Sequence, residues 1–163
     1  MGIVLQDPYL FTGTIASNVS MNQEGARDED IMAALEKVGA GPMLARLEKG
    51  IHEPVVEKGA AFSSGERQLI AFARTLFANP KLLILDEATS HIDTETEELI
   101  QQAMAVLKEG RTTFIIAHRP STIQHADQIL VLDKGRIVER GNHDQLLAQG
   151  GIYAHMHQIQ QKV

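Results

Sequence analysis

Two carboxylates, Asp86 and Glu87, close an uninterrupted aliphatic run, Leu82-Leu83-Ile84-Leu85. A short continuous apolar run predicts a strand buried on both faces, as in a parallel sheet. Ligands of open α/β sheets sit beyond the carboxyl ends of the strands, which puts both acids at the mouth of a site. A pair of acids there suits a divalent metal and a water: one holds the ion, the other orients or deprotonates the nucleophile. Taken alone, the run could as well end in a solvated acidic turn. Upstream, Ser63-Ser64-Gly65-Glu66 precede an apolar helical face of Leu69, Phe72, Ala73 and Leu76, which Asn79-Pro80 ends. A helix N-terminus offers unpaired N–H groups and the positive end of a dipole, both suited to a phosphate. Ser63 adds a hydroxyl, and Gly65 lets a backbone come close. The plainer role for Ser63 is a helix N-cap, with Arg67 and Gln68 on a wet face.

These residues need elements to position them. Ile3-Val4-Leu5 reads as a short strand stopped by Asp7-Pro8, with Gln6 at its end. Ile31, Leu35 and Val38 repeat at helical spacing within a helical region from Asp28 to Leu47, and Asp28, Glu29 and Asp30 suit a helix N-terminus. Gly39-Ala40-Gly41-Pro42 is expected to break that helix before Met43 to Leu47 resume it. Residues 52–59 read as a loop. A helix is expected over Thr94 to Lys108, with Asp93 as its N-cap, and Thr112 to Ala117 reads as a second buried strand followed by His118. Gln128 to Leu132 and Arg136 to Arg140 form a hairpin through Asp133-Lys134-Gly135. His143 is expected to help cap a helix over Gln145 to Gln149, and a last helix runs from Ile152 to Gln161.

The 163 residues suit one domain or most of one. A net charge of −6 without a basic run argues against a nucleic-acid partner. There is no cysteine, hence no disulfide framework. No apolar run approaches the ~18 residues that span a bilayer, and no signal peptide opens the chain. Phe and Tyr number 5 and 2 and Trp is absent, so the core must be mainly aliphatic.

The ordered set Phe62 to Gln68, Leu82 to Glu87, Ser90-His91-Ile92-Asp93 and Ile115-Ile116-Ala117-His118 resembles the nucleotide-binding domain of ABC transporters. The equivalents there are the signature motif, the Walker B strand with its catalytic glutamate, the D-loop and the switch histidine. Gln6 resembles the Q-loop glutamine. Leu10 to Ile15, Asn18-Val19 and the tail carrying Glu139, Gly141, His143, Leu146, Leu147, Gly151 and Tyr153 resemble exporter-type members. Glu57-Lys58-Gly59 match the end of the exporter X-loop, although Pro54 stands where that loop usually has glutamate; a plain connecting loop fits as well. The signature departs from Leu-Ser-Gly-Gly-Gln at Phe62, Ser64 and Glu66.

The resemblance implies an α/β, P-loop NTPase-like three-layer core with a mainly parallel sheet. A helical signature subdomain would span roughly residues 20–78, with residues 1–19 and 79–163 forming sheet core and C-terminal helices. It implies ATP and Mg2+ as cofactors. Asp86 and Gln6 would stand on the metal side, and Glu87 would be the general base. His118 and Gln6 would complete the catalytic set. Ser63, Ser64, Gly65 and Glu66 would cover a partner's ATP, and Asp93 would bridge the two subunits. The implied partners are an ABC transmembrane domain and a second nucleotide-binding domain, at the cytoplasmic face of a membrane. Two alternatives stand beside this exporter ATPase: a half-site module completing a partner's site, and a soluble ABC ATPase of DNA repair or translation.

No Gly-x-x-x-x-Gly-Lys-Ser/Thr occurs, nor any Gly-Lys pair. The resemblance implies a domain truncated at its N-terminus, matching about the last two-thirds of a complete one, with little or no ATP hydrolysis of its own. In the family the Walker A strand lies between the strand ending at Glu87 and the strand ending at His118. Without it, two strand edges are expected either to pair directly or to exchange between copies as an oligomer.

Overall fold

The computed structural model describes residues 1–5, 7–87, 94–117 and 120–160. They form two units, Met1–Ile116 and Ala117–Val163, each with its own apolar cluster. The expectations for Gln6, Asp93 and His118 lie outside the described residues.

The first unit opens with β1 (Gly2–Val4), β2 (Gly13–Thr14) and the short helix α1 (Ile15–Ser20). A capping box starts α1: the Thr14 hydroxyl accepts from Ser17 N at 3.0 Å, and the Ser17 hydroxyl accepts from Thr14 N at 2.9 Å. In α2 (Asp28–Lys37), Ile31 and Leu35 are buried and three acids occupy the first turn. The break falls earlier than expected, at 38–40. Gly41 and Pro42 instead begin α3 (Gly41–Ala45), because a proline needs no N–H partner in a first helical turn. The expected loop at 52–59 also carries structure. There β3 (Pro54–Val55) pairs antiparallel with β2, and Glu57, Lys58 and Gly59 take left-handed φ of 48°, 60° and 78°.

Helix α4 (Ser64–Ala78) is the spine of this unit, burying Leu69, Ile70, Phe72 and Ala73. Asn79 ends it in the left-handed conformation, φ 47°. Next come β4 (Leu82–Asp86), α5 (Thr94–Lys108) and β5 (Thr112–Ile116). The sheet order is β1-β4-β5, all parallel. Direct pairing of β4 with β5, from Leu82↔Thr112 to Asp86↔Ile116, is thus the arrangement found.

Burial on both faces is not found. Val4, Leu83 and Leu85 share one cluster with Phe72 of α4 and with Ile100, Met104 and Leu107 of α5. The alternate residues Ile3, Ile84 and Phe114 lie in register on the other face, where Ile3 is 50% and Phe114 56% exposed. The reason is geometric: side chains alternate along a strand, and α4 and α5 cover a single face.

The second unit holds α6 (Pro120–Ile123), the hairpin β6 (Ile129–Asp133) and β7 (Arg136–Gly141), and helices α7 (His143–Gln149) and α8 (Ile152–Gln160). Lys134 and Gly135 both have positive φ, 47° and 76°, as a two-residue hairpin turn demands. Asn142, not His143, caps α7: its Oδ1 accepts from Gln145 N at 2.9 Å. The His143 ring instead hydrogen-bonds the Tyr153 hydroxyl at 2.7 Å. The Glu139 carboxylate accepts from the backbone N–H of Ile152 and Tyr153, at 2.5 and 3.0 Å, and so caps α8. No described helix is long and apolar enough to cross a membrane.

Candidate functional site

The two acids at the end of β4 differ in burial. Asp86 lies opposite Ile116 in the ladder and is half-buried. Glu87 extends the ladder by one bond, its N–H donating to Ile116 O at 2.9 Å. Residues 86 and 87 alternate along the strand, yet both border one crevice at its end. Glu87 goes to the α4/α5 side and is only 4% exposed. It lines this narrow crevice with Asp86, Gln68, Phe72, Ile100 and Met104. That crevice measures about 10 Å³, room for roughly one water. Both acids border this crevice, Asp86 half-buried and Glu87 almost wholly buried, because Gln68 and Phe72 of α4 and Ile100 and Met104 of α5 pack around it.

The turn ahead of α4 faces outward, with Ser63 and Ser64 exposed. Ser63 is the N-cap, and its Oγ accepts from Glu66 N at 3.1 Å. A hydroxyl can donate once besides accepting, so the cap leaves the Ser63 O–H available to a ligand. Phe62 is buried and its carbonyl accepts from Arg67 Nη1 at 3.0 Å, so this departure from leucine is absorbed by the core.

Gly65 has a second reason to be glycine. A Cβ there would run into the Thr96 methyl group, so the close approach of α4 to α5 depends on it. Sequence reasoning assigned Gly65 only to ligand approach, since nothing local signals Thr96. It also passed over Arg46, the residue that closes α3, whose Nη2 lies 3.6 Å from Glu66 Oε1. The signal available was the acid itself, which stands where an amide is usual.

Arg74, on α4, ties this helix to the turn that follows Gln6. It donates to Asn18 O at 2.8 Å, Tyr9 O at 3.1 Å and Asn18 Oδ1 at 3.0 Å. The fully buried Asn18 in turn accepts from Phe11 N and donates to the carbonyls of Phe11 and Thr14. Burial lowers the pKa of the Arg74 guanidinium below its ordinary value. Lys58 Nζ sits 5.7 Å from the Tyr9 ring centre, so the left-handed segment 57–59 borders the same turn.

Among the described residues, no three or more His, Asp or Glu side chains gather as a metal cluster. Magnesium does not need one. It binds through one or two carboxylates while phosphate oxygens and waters fill its other positions. The single half-buried carboxylate of Asp86 fits a cation of that kind arriving with a nucleotide.

Residues 1–90 match the family model described as ABC transporter. The chain belongs to the ABC transporter family. It is 66% identical over 160 residues to a Bacillus subtilis ATP-binding/permease protein, YheH, described as a probable multidrug resistance ABC transporter. That match covers 98% of this chain and 24% of the relative. The ATP-dependent lipid A-core flippase of Burkholderia orbicola is 48% identical, over 98% of this chain and 27% of its own length. Among solved structures, a bacterial Atm1-family ABC exporter with ATP bound superposes with a TM-score of 0.86 at 45% identity, covering 98% of this chain and 28% of that one. The chain thus spans about a quarter of the length of the curated relatives it matches. The ABC exporter resemblance and the α/β fold with a parallel sheet, both read from the sequence, are the family and fold found.

Proposed function

We propose that this chain forms part of the ATPase of an ABC exporter, acting at the cytoplasmic face of a membrane beside a transmembrane domain. A second ATP-binding domain completes the site. One juxtaposition carries the reading: the same α4–β4 unit presents an outward Ser63-Ser64 turn at a helix head and the Asp86-Glu87 pair at a strand end. The likeness to an ATP-bound exporter over 98% of the chain supports it.

In this reading Asp86 would stand on the metal side and help hold Mg2+. The ion, when bound with ATP, neutralises charge on the phosphates. Glu87 accepts the proton of the water that attacks the terminal phosphorus, and its one-water crevice excludes competing solvent. Gln6 and His118 act on the same water and phosphate. Ser63, Ser64, Gly65 and Glu66 cover the ATP held by the partner, and Asp93 bridges the pair.

The test is capture of this chain by an intact ABC ATP-binding domain, with and without Mg-ATP. Capture that needs ATP, and that Ser63→Arg abolishes, is the expected result. Capture indifferent to nucleotide refutes the reading. The exposed Ser63-Ser64 turn also fits a second reading, a half-site module that only completes a partner's site. Glu87→Gln separates the two: it lowers turnover of the mixed complex if this chain does chemistry, and leaves it unchanged if it only binds.

A further inference from the structure

We propose that Arg46 is the charge-balancing residue of the signature turn, offsetting Glu66 and turning its own guanidinium toward the terminal phosphates of the nucleotide held by the partner domain. This rests on the function proposed above and concerns a residue outside the motifs that suggested it. The starting point is a mismatch: a carboxylate at position 66 faces the place where a polyphosphate is to sit. In a chain of net charge −6, nothing in the overall field favours an anion there, so attraction has to be local.

The geometry supplies a local cation. Arg46 Nη2 lies 3.6 Å from Glu66 Oε1. The Arg46 side chain is 70% exposed and that of Glu66 26%, so the pair sits at the surface with the guanidinium outermost. A guanidinium carries five N–H donors, and one contact to Glu66 leaves others for phosphate oxygens. Both partners are anchored by their backbones: Arg46 closes α3, and Glu66 N is fixed by the Ser63 cap. An ion pair this exposed adds little to folding stability. A purely structural role would leave nucleotide dependence untouched, and this separates the two accounts.

The experiment is the ATP concentration that gives half-maximal capture of the chain by an intact ABC ATP-binding domain. It is measured for wild type, Arg46→Ala, Arg46→Lys, Glu66→Gln and the Arg46→Ala/Glu66→Gln double variant, with thermal melts alongside. Removing Arg46 exposes an unbalanced acid to the phosphates, so Arg46→Ala should raise the required ATP about tenfold, a surface-charge effect of the usual size. Glu66→Gln should lower it. With Glu66 already replaced, Arg46→Ala should cost only about two- to threefold. Arg46→Lys keeps the charge and should stay within about threefold of wild type, and all melts should remain unchanged. The inference is overturned if wild-type capture needs ATP but Arg46→Ala does not alter it, or if the two single effects simply multiply in the double variant. Wild-type capture that ignores ATP overturns the underlying function and this inference together.

Discussion

Replacing Arg74 with alanine removes all three of its hydrogen bonds to Tyr9 and Asn18 at once. A hydrogen bond from a charged donor contributes about 1.5–3 kcal/mol net. Loss of the contact with the Phe11 ring, 5.6 Å from the guanidinium, adds about 0.5 kcal/mol. Working against this, the same substitution relieves the desolvation that lowers the pKa of Arg74. Water can also reach the half-exposed Tyr9, which softens the loss there. The net destabilisation should be about 2–3 kcal/mol. For a unit of this size that lowers the melting temperature by roughly 8–12 °C. Urea unfolding followed by far-UV circular dichroism measures the first figure. Hydrogen exchange at the Phe11 amide, which donates to Asn18 Oδ1, localises it. Because Arg74 and Asn18 share one network, Arg74→Ala and Asn18→Ala should be less than additive in a double-mutant cycle. A loss below about 0.5 kcal/mol, or strict additivity, would refute the view that this guanidinium holds the turn in place.

Gly65→Ala should destabilise the first unit by about 1–3 kcal/mol through overpacking against Thr96, and Thr96→Ser, which deletes the opposing methyl, should restore most of it in denaturant titrations. Gly151→Ala would drive a methyl into the Glu139 carboxylate, so faster hydrogen exchange at the Ile152 and Tyr153 amides should report a lost α8 cap. Burial raises the pKa of the Tyr153 phenol above its ordinary value of 10.0. The neutral phenol is therefore favoured by folding, and its contribution is fully present below pH 10 and lost as pH rises through the raised value. Melting of the second unit should fall in alkali, and Tyr153→Phe should flatten that slope.

What the sequence made legible was local. Ser63 as a cap, the apolar face of α4, the run that becomes β4 and the Lys134-Gly135 turn all follow from spacing within a dozen residues. The two-residue pairing of β2 with β3 carries no periodicity to read and joins segments far apart in the chain. The partners of Gly65, Glu66 and Asn18, namely Thr96, Arg46 and Arg74, are likewise set by how helices pack. An aliphatic run also does not say how many helices will cover it. That is why Leu83 is buried while its neighbour Ile84 is only half-buried.

The row Ile3–Ile84–Phe114, exposed at its two ends and half-buried at Ile84, with exposed Ile116 beside it, bears on how the chain behaves in solution. It is an adhesive strip on a molecule whose net charge of −6 keeps copies apart. At low ionic strength that repulsion reaches tens of ångströms; in molar salt it fades within about 3 Å while apolar attraction persists. Solubility should therefore fall as salt rises, and a polar side chain at Phe114 should restore it.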